Sequence, residues 1–482
     1  MFQKESSIKF PKLFFILLGL ILIFFLSFQY FFLADFPIGQ DVINHLASAL
    51  KVEKLGFSYA FKSSVYPFSL IALVLWQKLL GFFGFSYERT FIFAECFHLF
   101  LVAIFSGLLS YKIFKDWRMA ILASFFVASS RWLNEGLRIG LFAEILGWLF
   151  FVISLIFIFE KKWLFLAVSL VFELFVHPLA FFALFLVMAG FFIYWFITEK
   201  RSQKLKMLFF ILVCAFIFVL LYLLIPDIFV RIKFLIKPFF SVPTNRSIID
   251  YVIDSGKRRI LFYTFALFGL IVLVFSNFNR EKKWLIFIFT FISFWFCFAH
   301  IFNLRYLDFR LYGYFEIACA LLTGYAVIEF SQWILSKKLS LLVSLPLAFF
   351  LIYPNWLATK SITIWQLNDY SAGHTTPLPE RKLLPEVSHL LKPKAKICGF
   401  SIWSLWFKIY GFEVFDCWGK DFSLAINDEE ILKAKKFLIK HKIDYVYFSS
   451  IDSERKIEKE DFLKKIYDKD NIRIYEVKKV GF

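Results

Sequence analysis

The sequence predicts an α-helical polytopic membrane protein that ends in a small soluble α/β domain. The chain has 482 residues, of which 60% are hydrophobic and 72 are Phe, and its mean hydropathy is +0.70. Apolar stretches of the ~20 residues that a helix needs to cross a ~30 Å hydrocarbon core recur up to about Pro354 and then stop. This composition excludes a soluble globular protein for most of the chain.

The first apolar stretch, residues 13–33, is too long for the core of a signal peptide and lacks a small-residue cleavage site, so we expect a retained membrane helix. Lys and Arg residues form short clusters between the later apolar stretches, as the positive-inside rule expects of cytoplasmic loops. They do not form the single basic face of a nucleic-acid-binding protein, despite a formal net charge of +18. The pattern places the N-terminus in the cytoplasm of a multi-pass plasma-membrane protein.

Three apolar runs lie between Lys12 and Lys112, which both belong to clusters assigned to the cytoplasm. Only an even number of membrane crossings returns the chain to the same side, so one of the three runs does not cross. The run at 66–85 carries Pro67, Gln77 and Lys78, and we therefore predict an interfacial helix in the first outer loop. About eleven crossings remain, at 13–33, 90–110, 119–134, 143–159, 163–176, 179–197, 207–225, 260–277, 284–302, 312–334 and 339–353. This topology places the tail after Pro354 outside the cell.

The predicted organisation is a transmembrane domain at 1–353, an extracytoplasmic linker at 354–393 and a small extracytoplasmic α/β domain at 394–482. The Pro-containing stretch 368–379 reads as extended loop. In the last domain we predict strands at 395–400, 445–449 and 471–477 and helices at 428–441 and 458–467. An oxidising compartment would permit a disulfide between Cys398 and Cys417, but spacing alone does not establish one.

The segment that follows the first crossing concentrates Asp35, Asp41 and His45 within a few residues. Ionisable groups at a membrane boundary are costly and typically serve proton transfer, metal ligation or cation binding, although a solvated connecting loop is the alternative. The predicted topology places other ionisable residues on the same outer side, and a shared cavity that opens outward would explain the set: Glu95, His98, Glu135, Arg138, Glu144, Glu173, His177, His300, Arg305, Asp308, Arg310 and Glu316.

Structural explanations compete with a functional one. Glu95 with His98, and Glu173 with His177, have the helical spacing of buried hydrogen-bonded pairs that join membrane helices. His177 precedes Pro178 and would then mark a helix end. Arginines such as Arg138, Arg131, Arg305 and Arg310 also serve as interfacial anchors.

Four short motifs resemble those of membrane glycosyltransferases of the C-type fold. They are Asp35-Phe-Pro-Ile-Gly-Gln-Asp41-Val-Ile-Asn-His45, Tyr66-Pro67, Gly84-Phe-Ser-Tyr-Glu-Arg89 and Arg138-Ile-Gly-Leu-Phe-Ala-Glu144. The resemblance covers about residues 10–350. Many members carry two adjacent acids in the first loop, whereas Val42 follows Asp41 here and His45 comes one helical turn later. In this respect the chain is similar to an uncharacterised prokaryotic branch.

The resemblance implies transfer of a sugar from a polyprenyl-phosphate-linked donor to an acceptor at the outer face. Asp41 is then the candidate base that takes the acceptor proton. Arg138, Arg305 and Arg310 are candidates to stabilise the charge of the leaving phosphate. The remaining candidates for substrate binding are His45, Glu144, His177 and Asp308.

A divalent ion, Mg²⁺ or Mn²⁺, bound by Asp41 with Glu144 or His45 is an optional part of this site. No other cofactor is expected, and the absence of a Gly-rich phosphate loop argues against nucleotide hydrolysis. Two other classes of function stay open. One is a transporter or flippase of a lipid-linked or small solute, which inverted repeats would favour, although none is evident. The other is a non-catalytic membrane scaffold.

Overall fold

A computed structural model of the chain describes residues 9–34, 37, 40–226, 259–298, 308–335, 340–368, 378–417, 420, 427–450, 452 and 454–478. These residues form a bundle of apolar helices, followed by a small domain with one mixed sheet. The predicted fold class, a polytopic α-helical membrane protein with a C-terminal α/β domain, is confirmed.

The bundle and the segment predicted as the first outer loop are helical throughout most of their described length. The helices are α1 (Lys9–Ser27), α2 (Gln29–Leu33), α3 (Gln40–Leu55), α4 (Phe57–Ser63), α5 (Pro67–Gly81), α6 (Tyr87–Phe114), α7 (Trp117–Ala128), α8 (Arg131–Ile139), α9 (Phe142–Phe159), α10 (Trp163–Val176), α11 (Pro178–Thr198), α12 (Arg201–Leu224), α13 (Ile260–Phe275), α14 (Arg280–Phe298), α15 (Asp308–Ile334) and α16 (Leu341–Asn368).

Among the described residues, five segments are long and apolar enough to cross a membrane: Tyr87–Phe114, Phe142–Phe159, Pro178–Thr198, Met207–Leu224 and Tyr312–Ile334. Shorter apolar helices of 10–17 residues accompany them. Each of the eleven predicted crossings overlaps a helix, and the predicted interfacial helix corresponds to α5. Where α5 lies relative to a bilayer stays a prediction.

The crossing predicted at 119–134 is not one continuous helix. Helix α7 ends at Ala128, and the Ser130 side chain caps a new helix, α8, by accepting a hydrogen bond from the Leu133 backbone N–H at 3.3 Å. Gly140 ends α8 in the left-handed conformation, with φ +84°. The serine cap divides this apolar stretch, and the glycine ends the helix that follows.

The tail departs from the prediction in one helix, and the linker predicted at 354–393 contains helices at both ends. Helix α16 continues through Pro354 to Asn368, and α17 (Leu378–Leu390) begins with Pro379 in its first turn, so much of the predicted linker is helical. Residues 369–377 lie outside the described residues. The helix predicted at 458–467 is wrong. A 3₁₀ turn (Lys456–Lys459) is followed by a strand, because pairing with the next strand overrides the local helix propensity.

The sheet of the C-terminal domain has five strands in the order β2-β1-β3-β5-β4. They are β1 (Lys396–Gly399), β2 (Glu413–Asp416), β3 (Tyr445–Phe448), β4 (Leu463–Lys469) and β5 (Ile472–Val477), with helix α18 (Asp428–Lys440) between β2 and β3. Strand β1 is parallel to β2 and β3, whereas β5 is antiparallel to β3 and β4. The three predicted strands and the helix at 428–441 are confirmed, with Asn427 as the cap of that helix. Strands β2 and β4 were not predicted.

A disulfide joins Cys398, in β1, to Cys417, directly after β2, with their Cα atoms 5.8 Å apart. It links two neighbouring parallel strands. The pairing that the sequence left open is therefore present.

The C-terminal domain packs against the first outer loop. One continuous hydrophobic cluster contains Leu46 and Ala49 of α3 together with Leu384, Trp406 and Phe407 of the tail. Burial raises the pKa of the Tyr410 hydroxyl, and the nearby Glu88 carboxylate raises it further, so this hydroxyl stays protonated and donates to Glu88 at 3.3 Å. The first loop and the tail therefore lie on the same side of the helix bundle.

Candidate active site

A polar cavity of about 370 Å³ lies beside the first half of α3. Its lining comes from four separate stretches of the chain: Asp41, Asn44, His45 and Ser48; Ser63, Ser64, Val65, Tyr66 and Leu70; Leu141, Ala143 and Glu144; and His177. Four residues that the sequence singled out, Asp41, His45, Glu144 and His177, thus line the same cavity. Asn44 and Ser48 were not singled out.

Helix α3 is amphipathic, and its polar face forms one wall of this cavity. Asp41, Asn44, His45 and Ser48 are spaced i, i+3, i+4 and i+7, which places them on one side of the helix. The intervening apolar residues pack into the core shared with the tail: Val42, Ile43, Leu46, Ala49 and Val52. This burial fixes the rotation of α3 and directs its polar residues into the cavity.

The turn between α8 and α9 brings Glu144 to α3. Gly140 approaches the start of α3 so closely that a Cβ at this position would lie 2.4 Å from Val42 Cγ2 and 2.9 Å from the Val42 nitrogen. Glu144 follows in the first turn of α9, and its side chain is buried. A glycine at position 140 is therefore what allows the segment predicted as the second outer loop to reach the helix that carries Asp41.

The chain between α10 and α11 supplies His177. The His177 ring stacks on Tyr66, with ring centroids 5.4 Å apart and an interplanar angle of 11°. Ser69 of α5 donates a hydrogen bond to the Val176 carbonyl at 2.9 Å, which ties the end of α10 to α5. His177 does cap a helix, as the structural explanation proposed, and it also lines the cavity.

Other predicted residues are placed only in part. Arg138 lies in α8, and Asp308 and Arg310 lie in the first turn of α15, but their side chains are outside the described residues. Asp35, His300 and Arg305 lie outside the described residues altogether, and the side chains of Arg131 and Glu135 are not described. Their predicted roles stay predictions.

The side chains in the two helical pairs proposed from spacing differ in their hydrogen bonds. Glu173 and His177 are joined through the backbone, where the His177 N–H donates to the Glu173 carbonyl at 2.8 Å. His98 accepts a hydrogen bond from Trp76 at 3.2 Å, and Glu95 has no hydrogen-bond partner among the described residues. Glu173 accepts from Ser154 at 3.3 Å, and His177 bonds elsewhere. His98 and Glu173 thus join their helices to α5 and α9, whereas His177 caps the helix that follows it.

Glu316 has a partner that the sequence did not reveal. Its carboxylate pairs with the fully buried guanidinium of Arg259, and it also accepts from Tyr263 and from Ser130, the latter at 3.1 Å. This cluster ties α13 and α15 to the start of α8. Because Arg259 is distant in sequence, no local pattern signalled the pair.

Arg89 fixes the entrance to the first outer loop. Its guanidinium donates to the carbonyls of Phe31 and Ala34, at 3.2 and 2.9 Å, and lies 4.2 Å from the centre of the Phe31 ring. The motif that ends in Arg89 therefore holds the chain just before the acidic segment.

The predicted metal ligands do not form a three-residue cluster in the structure. Within the described part of the chain, no group of three His, Cys, Asp or Glu side chains is arranged to hold a metal ion. Asp41, His45 and Glu144 are all described, so this set does not fit a three-ligand centre. The optional ion, bound by Asp41 with Glu144 or His45, stays a prediction.

No protein-family model and no curated protein sequence matches the chain. Solved structures do. ArnT from Cupriavidus metallidurans, solved in the apo state, superposes with a TM-score of 0.66 at 11% identity, over 97% of this chain and 98% of ArnT. The archaeal oligosaccharyltransferase AglB from Archaeoglobus fulgidus, solved with an inhibitory peptide and a dolichol-phosphate, gives a TM-score of 0.49 at 12% identity, over 90% of this chain and 69% of AglB.

The likeness to ArnT extends over almost the full length of both chains. It shows that this chain has the C-type fold of membrane glycosyltransferases, as the resemblance of its motifs predicted. At this level of identity, the likeness to ArnT establishes the fold alone.

Proposed function

We propose that the chain is a glycosyltransferase that moves a sugar from a polyprenyl-phosphate carrier to an acceptor at the outer face of the membrane. The observation that carries the proposal is the polar cavity, which collects Asp41, His45, Glu144 and His177 from three segments of a C-type fold. Its volume of about 370 Å³ falls in the range of about 300–1,000 Å³ that small-molecule sites occupy.

The lining suits a sugar better than a lipid chain. Hydroxyl, amide, imidazole and carboxylate groups surround the cavity, and each can exchange hydrogen bonds with sugar hydroxyls. Two apolar cavities of about 420 and 370 Å³ lie elsewhere between the helices, one bordered by α1, α2, α7 and α16 and the other by α13, α14 and α15. A polyprenyl-phosphate sugar has a polar head and an apolar chain, so it needs a polar site and an apolar one.

In the proposed reaction, an oxygen of the acceptor hydroxyl forms a bond to the anomeric carbon of the sugar. The bond between that carbon and the phosphate oxygen breaks, and polyprenyl phosphate leaves with the bonding electrons. Asp41 takes the hydroxyl proton as general base. Arginines of the outer loops, Arg138, Arg305 and Arg310, are proposed to stabilise the charge that grows on the phosphate.

The proposal also assigns the two sides of the membrane. Basic clusters between helices favour a cytoplasmic N-terminus. The disulfide between Cys398 and Cys417 favours an oxidising compartment for the tail, as expected outside the cytoplasm. Because α3 packs against the tail, the cavity would then face outward with it.

Donor discharge tests the proposal without knowledge of the acceptor. The purified chain is reconstituted with native membrane extract and a radiolabelled polyprenyl-phosphate hexose, and the release of polyprenyl phosphate is measured. Wild type should discharge the donor and Asp41→Asn should not. Glu53→Gln, an exposed carboxylate on the same helix that does not line the cavity, should behave as wild type. Normal turnover by Asp41→Asn would remove Asp41 from the role of base.

A further inference from the structure

Trp148 of α9 lies in a slot between the backbones of two other helices. A Cβ at Gly136 of α8 would lie 3.0 Å from Trp148 Cη2, and a Cβ at Gly313 of α15 would lie 2.4 Å from Trp148 Cε2. Trp148 is only 2% exposed. Because neither glycine has a side chain, the ring lies against main chain on both sides, and its width sets the separation of α8 and α15.

The slot uses the size of the indole rather than its polar group. Trp148 Nε1 has no hydrogen-bond partner among the described residues, although a buried indole N–H usually finds one. The atoms nearest to Gly136 are Cη2 and Cζ3, at the far edge of the indole. A phenylalanine would avoid the cost of burying an unpaired donor, but its smaller ring would lose this contact with α8.

The Gly136 backbone holds the turn that meets α3. Its carbonyl accepts hydrogen bonds from the backbone N–H groups of Gly140, at 3.1 Å, and of Leu141, at 2.9 Å. Gly140 lies against Val42, the residue that follows Asp41. Leu141 lines the polar cavity. A shift of Gly136 would therefore move the turn, and the start of α3 with it.

Helix α15 supports the other side of the ring. Most of its apolar stretch is buried, and Phe151 of α9 packs edge-on against Tyr314 of α15, with ring centroids 4.6 Å apart. At the start of α8, Trp132 stacks on Tyr312 of α15, with centroids 4.8 Å apart. The start of α8 is thus held by its own contact, whereas Trp148 supports the end that leads into the turn.

We propose that Trp148 is a positioning residue that sets the place of Asp41 in the cavity, acting through Gly136 and the turn at Gly140. Trp148 itself does not line the cavity. The inference rests on the proposed function, in which Asp41 is the base. Displacement of a base leaves sugar binding intact but impairs proton transfer, so kcat should fall while KM stays close to that of wild type.

Replacement of Trp148 by phenylalanine tests this role. Trp148→Phe should lower kcat for donor discharge by about 10- to 10²-fold, with little change in KM. Trp195→Phe is the control, because Trp195 is also 2% exposed and lies outside the cavity, where it donates to Glu281. This variant should unfold at a lower temperature and keep the kcat of wild type. A merely structural role for Trp148 predicts normal kcat on the folded protein in both variants.

A second substitution tests the path through α8. In wild type, Gly136→Ala places a methyl group 3.0 Å from Trp148 Cη2 and should reduce kcat. In the Trp148→Phe background, the same methyl group occupies space that the indole has left, so Gly136→Ala should raise kcat. Losses of kcat that simply add in the double variant would overturn the inference.

The position of the turn has a readout that does not require turnover. Cryo-EM of the full-length wild type and of Trp148→Phe in nanodiscs should show Gly140 and Leu141 displaced relative to α15 in the variant. A turn in the wild-type position, or wild-type kcat in Trp148→Phe, would overturn the inference while the proposed function stands. A wild type that discharges no donor would overturn the proposed function, and the positioning of a base with it, wherever the turn lies.

Discussion

Replacement of Gly140 by alanine tests how the second outer loop is joined to the helix that carries Asp41. Gly140 has φ +84°, a conformation that L-residues rarely adopt, and it is also in close contact with Val42. Gly140→Ala therefore introduces two separate costs, one in the backbone and one in packing. Gly56→Ala, at the other end of α3, introduces a backbone cost alone, because Gly56 has nothing within 4 Å of its Cβ position. With φ +87° and ψ +164°, Gly56 lies in a region that is essentially restricted to glycine.

The magnitudes follow from these two contacts. A side chain in the left-handed region costs about 1–2 kcal/mol of stability. The overlap at position 140, where a Cβ would lie 2.4 Å from Val42 Cγ2, adds about 1–3 kcal/mol, as overpacking of a tight core does. Gly140→Ala should therefore lower the free energy of unfolding by about 2–5 kcal/mol in total. Gly56→Ala should lower it by about 1–3 kcal/mol, from backbone strain alone.

Activity should separate the two variants further. Val42 follows Asp41 directly, so relief of the overlap moves the proposed base, and a displacement of about 1 Å can reduce turnover by about 10²-fold. Thermal unfolding in detergent and donor discharge in liposomes measure the two effects. Equal losses of activity in the two variants would show that the turn at Gly140 does not position α3.

Three other predictions concern the tail and the topology. Replacing Cys398 by alanine breaks its disulfide with Cys417, which spans a sequence separation of 19. This should cost about 3 kcal/mol, and a reductant should lower the unfolding temperature of wild type but not of the variant. Glu458→Gln should cost about 3–5 kcal/mol and expose the tail to protease, because it leaves the buried Arg473 guanidinium without its ion pair. Glu429→Gln, in an exposed pair, should leave protease resistance unchanged. Glu53→Cys should react with an impermeant maleimide on intact cells, and Lys162→Cys only after permeabilisation. The reverse pattern would contradict the assigned topology.

Much of the architecture was predictable because the hydrocarbon core imposes length and composition on each crossing. Each of the eleven predicted crossings overlaps a helix. The break at Ser129 and Ser130 was missed because an average over apolar residues does not register a helix cap. Strand β4 was missed because its Lys-rich sequence is compatible with a helix until β5 is beside it.

The cavity was predictable in part. Counting crossings placed Asp41, Glu144 and His177 on one side of the membrane, and the structure brings them to one cavity. The helical period of α3 would also have indicated Asn44 and Ser48, had the loop been read as a helix. The pair of Arg259 and Glu316 was beyond sequence reasoning, because its members come from different helices and meet only through tertiary packing.

The position of a bound donor tests the central claim most directly. A cryo-EM structure of Asp41→Asn in nanodiscs with a polyprenyl-phosphate hexose would trap the donor before transfer. The account predicts the sugar in the cavity lined by Asn44, His45, Glu144 and His177, with its anomeric carbon facing position 41. If the wild-type chain discharges the donor, a hexose bound outside this cavity would contradict the account.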